Sequence, residues 1–223
     1  MALTTFSELK TAIADYYARD DFGTPDDDFV TLTEARIQYG SANPNYPSAP
    51  LRTRQMLERA TASTAGEFLA LPTDFLEIIH LKVTANPARS LRFVSPTDFD
   101  QLIDTTLTGT PRFYTILNEE FRFSPYSTGE TVEILYYEKI PALSDTNTSN
   151  WLLADAPNVY LLGGLLEASI WLQADNDIVR HGQAFAGAVN SLNMADRKSS
   201  YGKRLRQRSG NLPPSNSSAG IFA

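Results

Sequence analysis

The amino-acid sequence predicts an α+β protein. N- and C-terminal helices form one bundle, an antiparallel β sub-domain is inserted between them, and an extended C-terminal tail closes the chain. Three observations predict this. Apolar residues recur at helical spacing at both ends of the chain and alternate at strand spacing in the middle. After Asp196 the pattern gives way to a segment that carries Arg197, Lys198, Lys203, Arg204, Arg206 and Arg208 and no acid. The expected boundaries are 1–65 and 141–196 for the helical bundle, 66–140 for the β sub-domain and 197–223 for the tail.

Thr5-Phe6-Ser7-Glu8 has the form of a capping box, and Phe6, Leu9, Ile13 and Tyr16 or Tyr17 follow at helical spacing. Asp26-Asp27-Asp28 sets negative charge at the start of a second helix over 29–39, where it complements the helix dipole, and Gly40 ends it. A Pro- and Asn-rich loop over 41–49 leads to a third helical stretch over 51–61. These helices are short and amphipathic, so they need partners. After Gly66 the period changes, and 67–71, 75–84 and 91–94 read as strands separated by Leu71-Pro72-Thr73-Asp74 and Ala85-Asn86-Pro87 turns. Ser95-Pro96-Thr97-Asp98 starts a short helix with Phe99, Leu102 and Ile103 inward. Strands are then expected over 112–117, 120–124 and 131–140, with Asn118-Glu119 as a hairpin turn. Pro157 opens a strongly apolar helix in which Gly163 and Gly164 permit close helix contact, and a last helix is expected from about 177 to Met194.

Composition narrows the chemistry. An apolar content of 42% with 11% aromatics supports a packed core. There is no cysteine, which removes disulfides, thiolate metal sites and thiol nucleophiles, and the two histidines are His80 and His181. Residues 1–10 lack a basic segment followed by an apolar run, and the longest apolar stretch, 160–172, is interrupted by glycines and Glu167. A soluble, unexported product is expected. The chain carries a net charge of −7 and its acids all precede residue 197, so the body repels nucleic acid, and the basic tail alone is suited to attract a polyanion. Such a tail buries too little apolar surface to offset the entropy of ordering it, so it should order on a partner.

The run Tyr136-Tyr137-Glu138-Lys139-Ile140-Pro141-Ala142-Leu143-Ser144-Asp145, followed by Asn150-Trp151-Leu152-Leu153, resembles the head-to-tail adaptor (head completion) family of tailed bacteriophages. Residues 9–17, Glu34-Ala35-Arg36-Ile37, Leu71-Pro72-Thr73-Asp74-Phe75-Leu76-Glu77 and the Tyr160 to Ala168 stretch are similar to that family's pattern as well, so the resemblance covers about 5–196. It implies a structural virion protein at the head-tail junction, made in the host cytoplasm, with no enzymatic activity and no cofactor or metal. It also implies a homo-oligomeric ring, commonly a dodecamer, that joins the portal protein to the next tail component (nozzle, tail-completion or tail-tube protein). DNA passes through its channel without specific binding, and no membrane is involved. The family's C-terminal segment grips the portal, and by position and composition the corresponding residues here are Arg197, Lys198, Lys203, Arg204, Leu205, Arg206, Arg208, Ile221 and Phe222.

Asp20, Asp21 and Asp26 to Asp28 lack the ligand alternation of a calcium loop, and helix-start charge explains most of them. His80 is an ordinary strand histidine, since no nucleophile accompanies it, and His181 is expected at a surface or interface. Trp151, Trp171, Tyr136, Tyr137 and Tyr160 fit core or subunit packing better than a base-stacking platform, because only Lys139 lies near them in sequence. Glu133, Glu138, Glu167, Asp145 and Asp155 raise the enzyme-class alternative, a tail-associated peptidoglycan hydrolase with paired carboxylates, against solvated faces or subunit salt bridges. For the tail, portal binding ranks ahead of duplex binding and of simple solubility. Duplex binding through six cations predicts a log-log salt slope of about −5.

Overall fold

The computed structural model describes residues 3–18, 25–84, 87–104 and 106–208, with backbone only at 25, 26, 102 and 199–208. The protein is a mixed α and β chain divided into two compact units: Met1–Thr53 with Leu153–Ala223, and Arg54–Leu152.

The first unit is helical. Helix α1 (Phe6–Tyr16) starts at the expected capping box, in which the Glu8 N–H donates to Thr5 Oγ1 at 3.3 Å and the Glu8 carboxylate accepts from the Thr5 N–H at 3.0 Å. Helix α2 (Pro25–Tyr39) ends at Gly40, whose φ of +79° suits glycine. The loop after it turns back, and Leu51 donates its N–H to the Ile37 carbonyl at 2.8 Å. Helix α4 (Trp151–Asp155) had no counterpart in the expected elements. Helix α5 (Pro157–Trp171) is the hub of the unit, packing against α1, α2 and α6 (Asp175–Arg208). Its apolar residues run almost all round because it has neighbours on several sides. Gly163 faces the Thr33 and Phe185 side chains and Gly164 faces Ile13, so closely that a Cβ at either position would collide with them.

The second unit is built on one long strand. β6 (Glu120–Glu138) pairs along one edge with β1 (Leu57–Ala70), and along the other with β2 (Phe75–Val83) and β5 (Phe113–Leu117). Two-residue strands β3 (Arg89–Ser90) and β4 (Arg92–Phe93) extend the sheet, and α3 (Pro96–Leu102) lies on β5. Phe121, Phe123, Val132, Ile134 and Tyr136 of β6 face one side and pack with Leu81, Val83 and Tyr114. Alternation along β6 therefore generates this core.

Several expectations are corrected. Residues 51–61 do not form a third helix: a 3₁₀ turn at Arg54–Met56 leads into β1. Met56 and Ala60 share helical spacing, but Thr61 and Thr64 favour a strand, and pairing with β6 decides the matter. The strand expected at 67–71 is the end of β1. The two strands expected at 120–124 and 131–140 are one, carried past Pro125 and Gly129 where the β1 pairing shifts register. The sheet is not wholly antiparallel, since β4 and β5 run parallel. Finally, α6 does not stop near Met194 but continues to Arg208, so 197–208 is helical rather than extended. Its Arg, Lys, Leu and Gln residues are good helix formers, and the first proline beyond is Pro213.

Candidate functional site

The basic segment follows directly from α6. That helix is anchored by buried Phe185 and Val189 and, at its last inward turn, by Asn193, whose side chain accepts from the Arg52 N–H at 2.9 Å and donates to the Pro50 carbonyl at 3.1 Å. Beyond Asn193 the helix continues through Arg197 and Lys198, both exposed, and its backbone carries Lys203, Arg204, Leu205, Arg206 and Arg208. At 1.5 Å per residue these four turns extend about 22 Å past the anchor. Ile221 and Phe222 lie outside the described residues.

Two polar clusters hold the helical unit together. Arg36 of α2 pairs with the buried Glu167 of α5, and the hydroxyl of Tyr160, also buried, donates to Glu34 at 3.2 Å. Burial works against the Arg36 cation, but Glu167 more than offsets it and the guanidinium pKa is raised. The second cluster surrounds His181, expected at a surface or interface but 3% exposed and packed inside the helical unit. Its Nδ1 lies 2.9 Å from Ser169 Oγ, its Nε2 3.3 Å from Tyr16 Oη, and Tyr17 Oη is 2.7 Å from Ser169 Oγ. Arg180 Nη2, which can only donate, is 3.3 Å from Nε2 and 2.8 Å from Tyr16 Oη. Both ring nitrogens are therefore engaged inside the cluster, Nδ1 by Ser169 and Nε2 by Tyr16. Burial first, and the Arg180 charge second, lower the His181 pKa. A Ser–His contact invites a nucleophile reading, but Ser169 has no exposed surface and donates to the Leu165 carbonyl at 2.6 Å, so the cluster ties α1, α5 and α6 together.

In the β unit, Glu133 bridges strands: Lys82 approaches it at 2.7 Å and Arg59 at 3.5 Å, and the Lys82 hydrogen bond lowers its pKa. Arg122 is held between Glu67 at 2.5 Å and Asp100 at 2.6 Å. The Tyr136 hydroxyl donates to Asp74 at 2.8 Å; burial, then that carboxylate, raises its pKa. Glu138 is shifted upward by burial, with Asp74 and Glu58 adding to it. Of the carboxylates that suggested a hydrolase, Glu133 and Glu167 are engaged by cations, and Asp145 lies in the loop after β6. Glu167 and Asp155 belong to the helical unit, whereas Glu133 and Glu138 belong to the β unit. His80 pairs its Nε2 with Ser90 Oγ at 2.9 Å, joining β2 to β3, and Asp27 pairs with Lys10 at 2.7 Å. Among the aromatics, Tyr136 and Tyr160 are buried and Trp171 is half-exposed.

Long-range pairs were the residues that sequence reasoning missed. Arg36 and Glu167 are 131 positions apart and Tyr17 and Ser169 152 apart. The one signal available was that polar residues sit among the apolar positions of a helix that is otherwise apolar on every side.

A family model for the SU10 adaptor protein matches residues 4–208, and the chain belongs to this phage adaptor family. Among curated proteins no sequence matches it. Membership supports a structural adaptor role and a location in the virion. No helix among the described residues is long and apolar enough to cross a membrane.

Proposed function

We propose that this protein is a head-to-tail adaptor without enzymatic activity: copies assemble into a ring, a dodecamer on the family pattern, that joins the portal to the tail machinery and continues the DNA channel. The family match over residues 4–208 carries this reading. Charge supports it too. A ring through which DNA travels should not grip phosphate, and the chain as a whole carries −7 with its cations concentrated past Asp196. The helical unit supplies ring contacts and channel wall, and the β unit meets the next tail component. Arg197, Lys198, Lys203, Arg204, Leu205, Arg206 and Arg208, with Ile221 and Phe222 further on, fasten the ring to the portal. The basic helix end offers a preformed turn-by-turn array of cations, so less ordering is required on binding than for an extended tail.

Because α6 runs to Arg208, truncations must respect the helix. Chains ending at Asp196 and at Arg208, and a full-length chain with the six terminal cations changed to Gln, are each incubated with the cognate portal and resolved by sedimentation. Loss in the chain ending at Asp196 and in the Gln-substituted chain is expected, with the chain ending at Arg208 retained through its cations but more weakly than the full-length chain, for want of Ile221 and Phe222. Equal portal binding by all three rejects the fastening role, and no binding by the full-length chain rejects the adaptor reading.

A further inference from the structure

On the helical unit, two exposed helix faces match one another. Asp28, Leu32, Ala35 and Tyr39 fall on one face of α2 at i, i+4, i+7 and i+11, and all four are exposed, Leu32 at 51% and Tyr39 at 65%. Trp171 of α5, 49% exposed, adjoins them, and shallow hollows of about 240 and 270 Å³ lie on either side of Leu32. On α6, Arg180, Ala184, Gly187 and Ser191 repeat the same spacing, and Ala195 and Lys198 continue it, all exposed. Here the centre is small: the Ser191 hydroxyl folds back to donate to the Gly187 carbonyl at 2.8 Å, and a Cβ at Gly187 would meet nothing within 4 Å. Glycine inside an exposed helix costs stability relative to alanine, and nothing among the described residues crowds a Cβ at Gly187.

We infer that copies of this chain meet head to tail through these two faces, the Asp28–Tyr39 face of α2 in one copy packing on the Arg180–Ala195 face of α6 in a second copy, with the helices parallel. The inference rests on the ring reading above and names the surfaces that build the ring. Bulky Leu32, Tyr39 and Trp171 meet a floor of Ala184, Gly187 and Ser191, which lets two helices approach closely. Acid meets cation at the matching end, Asp28 against the exposed Arg180, whose Nη2 is held by Asp177 and Tyr16 of its own chain. Direction agrees as well. Residue numbers rise on α2 as they fall on α5, from Phe29 beside Trp171 to Glu34 bonded to Tyr160, and α6 also runs against α5, with His181 at Ser169 and Phe185 at Gly163. So α2 and α6 run the same way in one copy, and the small rotation between neighbours in a many-membered ring keeps α2 parallel to the next copy's α6. A head-to-tail contact of two unlike faces is the kind that closes rings.

The chain has no cysteine, so added thiols report without background. Full-length Leu32→Cys/Ala184→Cys protein, assembled alone or on the portal and treated with a short bismaleimide, should give a ladder of covalent multimers, while each single-cysteine variant stays monomeric on a denaturing gel. Gly187→Leu should weaken self-association at least tenfold. Gly187→Ala should raise the thermal midpoint of the monomer yet weaken assembly, a combination that a purely intrachain role for the glycine does not produce. Leu32→Cys/Ala184→Cys rings that give no ladder, together with a Gly187→Leu chain that still assembles, overturn this interface while leaving the ring intact. A wild-type chain that forms no multimer with or without portal overturns the ring reading and this interface with it.

Discussion

Arg36 and Glu167 show what a single residue contributes here. Glu167 is buried and its carboxylate is committed to the guanidinium, so Glu167→Gln leaves a partly buried cation without its counter-charge. We expect a loss of about 2–3 kcal/mol in urea unfolding, discounted because Arg36 keeps some solvent; a loss under about 0.5 kcal/mol would contradict the role assigned to the pair. His181 makes a pH prediction. It is faced by Tyr16 and Tyr17 from α1, Ser169 from α5, and Arg180 and Asp177 from α6, and its pKa is held below the ordinary 6.5. As pH falls through 6.5 the unfolded chain takes up a proton that the folded chain refuses, so stability is complete above that pH and is lost below it until the folded ring also protonates. His181→Asn should flatten the stability profile between about pH 7 and 5.5 relative to wild type, read from denaturant midpoints; an unchanged profile would remove His181 from the account. Neither site was legible in the sequence, because each is assembled from residues far apart along the chain, and a neutral histidine among tyrosines has no local signature.

Elements were legible where one period and its punctuation agreed. The α1 capping box, Gly40 after α2, Pro96 opening α3, the Asn118-Glu119 turn and Pro157 opening α5 all mark real boundaries. The β1 strand was misread because its first half is Ala- and Thr-rich with apolar residues at ambiguous spacing. What makes it a strand is its ladder with β6, whose partners lie 50 to 80 residues away. The glycines of α5 support a prediction at this scale. Gly163→Ala drives a methyl into Thr33 and Phe185, so it should cost about 1–3 kcal/mol despite the better helix propensity of alanine. Thermal unfolding that is unchanged or raised would show that α2 and α6 yield at no cost. In the β unit, Tyr136→Phe removes the bond to Asp74 and should lower stability by about 1 kcal/mol, measured against a Tyr137→Phe control.

At the scale of the whole molecule, the contrast between an acidic chain and its basic C-terminal segment was plain from composition. The structure changes its form: the first twelve residues of that segment belong to α6, so its backbone there is helical rather than extended. Family membership supplies the context in which that segment has a task. The most direct measurement is cryo-electron microscopy of the full-length protein mixed with its cognate portal. The account predicts a closed ring of copies coaxial with the portal, with the C-terminal end of α6 against the portal surface. Portal particles that remain bare, or a ring seated with the α6 ends pointing into solvent, would contradict it.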